Sequence, residues 1–152
     1  MKNITTDLAD RLALLHVRHN VVFGLAGPSL PDFVAKQFMT TAHILAEGLR
    51  AEDPDTVAKV RGVVDPAELS GTSFWITNLG RLLFMAGGYG NGQVTQALAA
   101  GVLGCSRQWV HELVASRKLL SAPAPVGAVP ARAVDAEQVR GLLKAKLDRP
   151  VK

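Results

Sequence analysis

The stretch Gln96–Arg117, QALAAGVLGCSRQWVHELVASR, reads as two short helices joined by a turn. The break falls at Gly104, with Cys105 and Ser106 completing it. Glycine supplies the positive φ that a sharp helix–helix turn often needs. The first helix carries Ala99, Ala100 and Leu103, and its two alanines let helix backbones approach closely. The second carries Val110, Leu113 and Val114 on its inner side. Ser106 stands where a side-chain hydroxyl accepts from a backbone N–H one turn ahead and caps the second helix. Arg107, Gln108, His111 and Glu112 are left for the outer side. Side chains of these types bond to base edges in a major groove.

The order continues after the second helix. Arg117-Lys118-Leu119 forms a basic exit with one apolar anchor. A Pro/Gly-rich stretch follows, and then ARAVDAEQVRGLL at 131–143. A closing helix is expected from Asp135, where Asp135 is the N-cap and Gln138 takes the reciprocal capping position. Residues 93–147, roughly a third of the chain, thereby resemble the winged helix-turn-helix of the excisionase and MerR-like families. The resemblance implies a DNA-binding domain with a small β-hairpin wing, formed by residues near Leu120–Pro125 and Ala131–Val134 with Gly127 at its tip. It makes Ser106, Arg117, Lys118 and Arg132 phosphate contacts, which position the protein without specifying sequence. Arg107 and Gln108 become the main base readers, because Arg matches guanine O6/N7 and Gln matches adenine N6/N7. His111 and Glu112 come second. Trp109 is bulky for its place and either meets a thymine methyl or packs against protein. The wing departs from the pattern in holding one basic residue, Arg132. It either contacts DNA or simply covers the core.

Charge divides unevenly along the chain. Residues 1–70 hold seven basic and nine acidic residues, whereas residues 71–152 hold ten basic and four acidic. Phosphate neutralisation drives much of DNA affinity, so the basic half is the one expected to meet DNA. With 48% apolar residues, a chain of 152 residues is able to build a packed core, and its composition argues against global disorder. The single cysteine excludes an internal disulfide and a cysteine-based zinc site. A cytoplasmic, nucleoid-associated location is expected. No secretory signal is evident, and VVFGLAG at 21–27 is far short of the ~20 residues a membrane span needs.

The fold class expected is mainly α, an N-terminal helical region at 1–71 followed by the winged helix-turn-helix at 72–152. A helix over 5–25 is capped by Thr5 or Thr6 and buries Leu8, Leu12, Leu15, His19 and Val22 at 3–4 spacing. A second, over 31–50, carries Val34, Phe38, Leu45 and Leu49. The two form an antiparallel hairpin whose apolar positions, Phe23 among them, exceed one helix–helix contact. A homodimer through these helices follows, because paired reading heads about 34 Å apart gain affinity for duplex DNA. Residues 51–72 read as a linker with a short helix at 55–61. A helix capped by Thr72 or Ser73 is expected to run to Ala86, and GGYGNG at 87–92 then connects the two regions.

Other chemistry finds little purchase. GGYGNG lacks the Lys-Ser/Thr of a phosphate loop. His16 and His19 lack a carboxylate or thiol at ligand spacing, so no metal site is expected. No nucleophile–base motif appears, so neither enzyme activity nor a cofactor is expected. Cys105 reads as a small core residue, with a redox role in the turn as the sharper alternative. The sequence therefore points to a double-stranded DNA-binding transcriptional regulator. Two alternatives stay open: an architectural factor for recombination or plasmid partition, and a protein-interaction module that has lost DNA binding.

Overall fold

The computed structural model describes residues 3–22, 32–90, 92–119, 121–122 and 133–147. It is mainly helical and divides into two compact units, Met1–Gly88 and Tyr89–Lys152. The division falls 17 residues beyond the expected boundary at 71/72. The reason is the helix Asn78–Met85, which packs on the two N-terminal helices and belongs with them.

The first unit consists of α1 (Ile4–Val22), α2 (Asp32–Arg50), α3 (Pro54–Val63), α4 (Pro66–Ser70) and α5 (Asn78–Met85). Asn3 caps α1, its Oδ1 accepting from Thr5 N at 2.8 Å, so Thr5 and Thr6 lie inside the helix rather than before it. Leu8, Ala42, Leu45, Ala46 and Leu49 are buried where α1 and α2 meet each other, α3 and α5. The expected linker is in fact structure. Asp53 and Asp65 cap α3 and α4, a proline follows each cap, and Thr56, Val60 and Val64 enter the core. The proline–aspartate pairs that read as breakers are helix starts.

The expected helix over 73–86 begins only at Asn78. Thr77 sets the start: its Oγ1 accepts from Gly80 N at 3.0 Å and donates to Phe74 O at 2.6 Å. Residues 73–76 form turns that push Phe74 and Trp75 into the core. Trp75 stacks edge-on between Phe74 and Phe84, and its indole N–H donates to Leu69 O at 3.0 Å. Arg11 clasps the assembly from α1. It donates to Asp7 at 2.7 Å and to Glu68 at 2.5 Å, and its guanidinium lies 5.2 Å from the Phe74 ring centroid. Burial opposes the charge on Arg11, but the hydrogen bonds to Glu68 and Asp7 outweigh it and raise its pKa. The same bond from Arg11 holds the Glu68 carboxyl below its ordinary value.

The second unit contains β1 (Gln93–Thr95), α6 (Gln96–Leu103), α7 (Arg107–Ala115), β2 (Ser121–Ala122), β3 (Ala133–Asp135) and α8 (Ala136–Leu147). The strands form one antiparallel sheet in the order β1-β3-β2, with Val94 opposite Val134 and Ser121 also opposite Val134. The sequence anticipated β2 and β3 but not β1, since three residues are too few to show alternation. The expected wing tip around Gly127 lies outside the described residues, as do Phe23 and Arg132. Asp135 ends β3, and α8 starts directly after it. No helix among the described residues is long and apolar enough to cross a membrane.

Two outcomes follow. A Cβ on Gly80 would meet Phe74 O at 2.0 Å, so Gly80→Ala should cost about 1–3 kcal/mol and lower the Tm in a thermal melt followed by circular dichroism. Glu68 has a depressed pKa, so its contribution is present above its ordinary value of 4.5 and is lost as pH falls through the folded value. Glu68→Gln should therefore lower stability at neutral pH and flatten its decline below about pH 4.5, read from urea midpoints across pH.

Candidate nucleic-acid interface

α6 and α7 meet through a turn built as the sequence implies. Thr95 caps α6 by accepting from Leu98 N at 3.1 Å. α6 ends at Gly104, whose φ of 68° and ψ of 36° are left-handed. A side chain at that position would cost roughly 1–2 kcal/mol. Cys105 N then bonds back to Ala100 O at 3.0 Å, closing the turn. Ser106 starts α7, its Oγ accepting from Trp109 N at 3.1 Å. The hydroxyl hydrogen of Ser106 remains available to an outside acceptor.

The inner faces converge on α6. Leu98, Ala99, Ala100, Val102 and Leu103 from α6 are buried, as are Val110 and Leu113 from α7. Leu119, Val134, Val139 and Leu143 complete this core. Lys146 of α8 donates to Leu103 O, placing a cation at the negative end of α6. Cys105 is half-buried in the turn, and burial pushes its thiol pKa up. A raised pKa suits a core residue rather than a reactive thiolate.

The outer face of α7 is open. Arg107, Gln108, Trp109, His111 and Glu112 are all exposed. At about 100° per residue, Gln108 and Ala115 lie opposite the buried Val110 and Leu113. His111 and Glu112 flank that strip equally, one on each side, with Arg107 beyond His111 and Trp109 beyond Glu112. Trp109 keeps 49% of its surface exposed. Arg117 and Lys118 follow the helix and are exposed, with Arg117 in the left-handed region at φ 61°. Arg117 N bonds to Val114 O and Lys118 N to Leu113 O, so the exit is a tight helix-terminal turn. Eight of the nine expected contacts thus fall on α7 and its two ends, and Arg132 lies outside the described residues.

The first unit offers a different kind of surface. A cavity of about 640 Å³ is lined by Asp7, Asp10, Arg11, Leu14, Leu15, residues 62–66 and Glu68. Its cation is already engaged by Asp7 and Glu68, as an ion pair that braces the fold. No group of three or more metal-binding side chains occurs among the described residues. The side chains of His16 and His19 are outside what is described.

Compared with known proteins, the chain matches no family model, no curated protein and no solved structure.

The capping geometry predicts a graded result. Ser106→Ala should cost about 1 kcal/mol of stability, and Ser106→Gly only a few tenths, because glycine leaves the cap to water. Denaturant midpoints of both variants check this.

Proposed function

We propose that the protein binds double-stranded DNA as a transcriptional regulator, laying α7 in the major groove. The observation that carries this reading is the outer face of α7. It is exposed, held rigid at its start by the Ser106 cap, and studded with side chains that pair with bases. The charge distribution supports it. Residues 89–152 hold nine basic and four acidic residues, against eight and nine in residues 1–88. Arg107 meets a base edge at the start of α7, while Arg117 and Lys118 lie just beyond its end and meet phosphate. Ser106 adds a phosphate contact through its hydroxyl hydrogen. Arg132, if the strands extend as the winged helix-turn-helix resemblance implies, adds another. No catalytic step and no cofactor enter this reading, and it places the protein at the nucleoid.

A homodimer through the N-terminal helices is part of the proposal, with changed support. Leu8, Leu45 and Leu49 are covered within the first unit by α3 and α5, so they do not drive association. The dimer rests instead on the exposed Leu14, Leu15, Met39 and Ile44, of which Ile44 is 67% exposed.

Fluorescence anisotropy with a labelled duplex tests the DNA reading. Affinity should fall steeply between low and moderate salt, since several phosphates are neutralised. Arg107→Ala should cost about 1–3 kcal/mol on the preferred sequence and relax one base position, whereas Lys118→Ala should weaken all duplexes alike. Salt-independent binding, or no binding at low salt, rejects the reading. For the dimer, light scattering should give twice the chain mass at micromolar concentration and the single mass for the Leu15→Glu, Ile44→Glu double variant. A monomeric wild type rejects that part.

A further inference from the structure

We infer that Glu112 is a specificity-determining residue of this interface, and that it selects cytosine. The inference rests on the proposal that α7 enters a major groove, and it goes beyond it by naming the base that one side chain demands. Three observations lead to it. Glu112 is exposed on the outer face of α7, one turn from Gln108, which lies opposite Val110 and Leu113. Its carboxylate has no hydrogen-bond or ion-pair partner among the described residues. It is the one acidic residue of the helix, and the cations near it in sequence, Arg107, Arg117 and Lys118, lie toward or beyond the helix ends.

A carboxylate in that place is costly. The floor of a major groove is walled by phosphates on both sides, and most of its edge atoms are acceptors. Guanine presents N7 and O6, thymine presents O4, and adenine sets N7 beside its amino group. Each of these repels a carboxylate wholly or in part. Cytosine alone presents only a donor, the N4 amino group. A carboxylate on the reading face is thus offset by cytosine and opposed elsewhere. It also weakens binding to DNA at large, which sharpens discrimination by exclusion. Gln108, one turn earlier on the same face, accommodates an amino group beside an acceptor and so suits adenine.

Selection from a randomised duplex library, followed by dissociation constants on the selected site, its single-base changes and a random duplex, tests the inference. Wild type should enrich one cytosine position, with a loss of roughly 5- to 150-fold when that base is changed. Glu112→Ala should lose the preference at that position alone and bind the random duplex more tightly. Glu112→Gln should shift the position toward adenine. Cytosine preference surviving in both variants overturns the inference, as does uniform blurring of every position. Selection of no sequence by a wild type that still binds duplex in a salt-dependent way overturns it while leaving the DNA reading intact. Absence of any wild-type binding at low salt overturns both. Far-ultraviolet circular dichroism confirms that the variants are folded, as the exposure of Glu112 predicts.

Discussion

The constraint on which the second unit depends is how closely its other elements approach α6. Ala99 and Ala100 are both buried, and α7, β1, β3 and α8 all pack on this one eight-residue helix. A helix of two turns has too little propensity to stand alone, so its stability comes from that packing. Gly104 makes the packing possible. Its left-handed backbone reverses the chain within three residues, so that Val110 and Leu113 return to the core that Leu103 has just left. The same reversal turns the opposite strip of α7 outward. Core formation and display of the outer face are therefore one event, and a side chain at Gly104 would disturb both.

Much of this was legible from the residues, for reasons that can be named. The Gly104–Ser106 turn has a left-handed residue and a cap at fixed offset, which is local chemistry. The start of α8 after Asp135 followed from a local capping signal, whereas the pairing of β2 with β3 was expected only from the family resemblance. What sequence reading missed was decided by contacts across the chain. Phe74 and Trp75 lie at helical spacing from Leu79 and Leu82, so they read as a helix. Thr77 instead caps α5 and frees Trp75 to meet Phe84 and Leu69, with Phe74 edge-on to its ring. The segment 51–72 looked like a linker because Pro54 and Pro66 break periodicity. Each proline follows a capping aspartate, and Val60 and Val64 supply a buried face too short to stand out. The boundary moved from 71/72 to 88/89 as a result. At the candidate interface, the residue types are readable in the sequence, while their angular order depends on where α7 begins and which residues it buries. That order sets Gln108 at the centre, with His111 and Glu112 on either side of it.

The two units show different uses of charge. In the first, Arg11 is spent inside the fold, held between Asp7 and Glu68 and laid on Phe74. In the second, Arg107, Arg117 and Lys118 are exposed and engage nothing among the described residues, while Lys146 tends the end of α6. Cations held ready at the surface suit a polyanionic partner, and cations locked in pairs do not. The contrast agrees with the sign of each unit and with the placement of the proposed interface in the second alone.

The central claim is that α7, presented by the Gly104 turn, is the surface that meets duplex DNA. Backbone amide chemical shifts of the isotopically labelled chain, followed as a short duplex is added at low salt, test it most directly. The account predicts that the largest changes fall on residues 106–118, led by Arg107, Gln108 and Glu112, while amides of α3 and α5 stay in place. Unchanged amides across 106–118, or changes centred on residues 54–85, would contradict it.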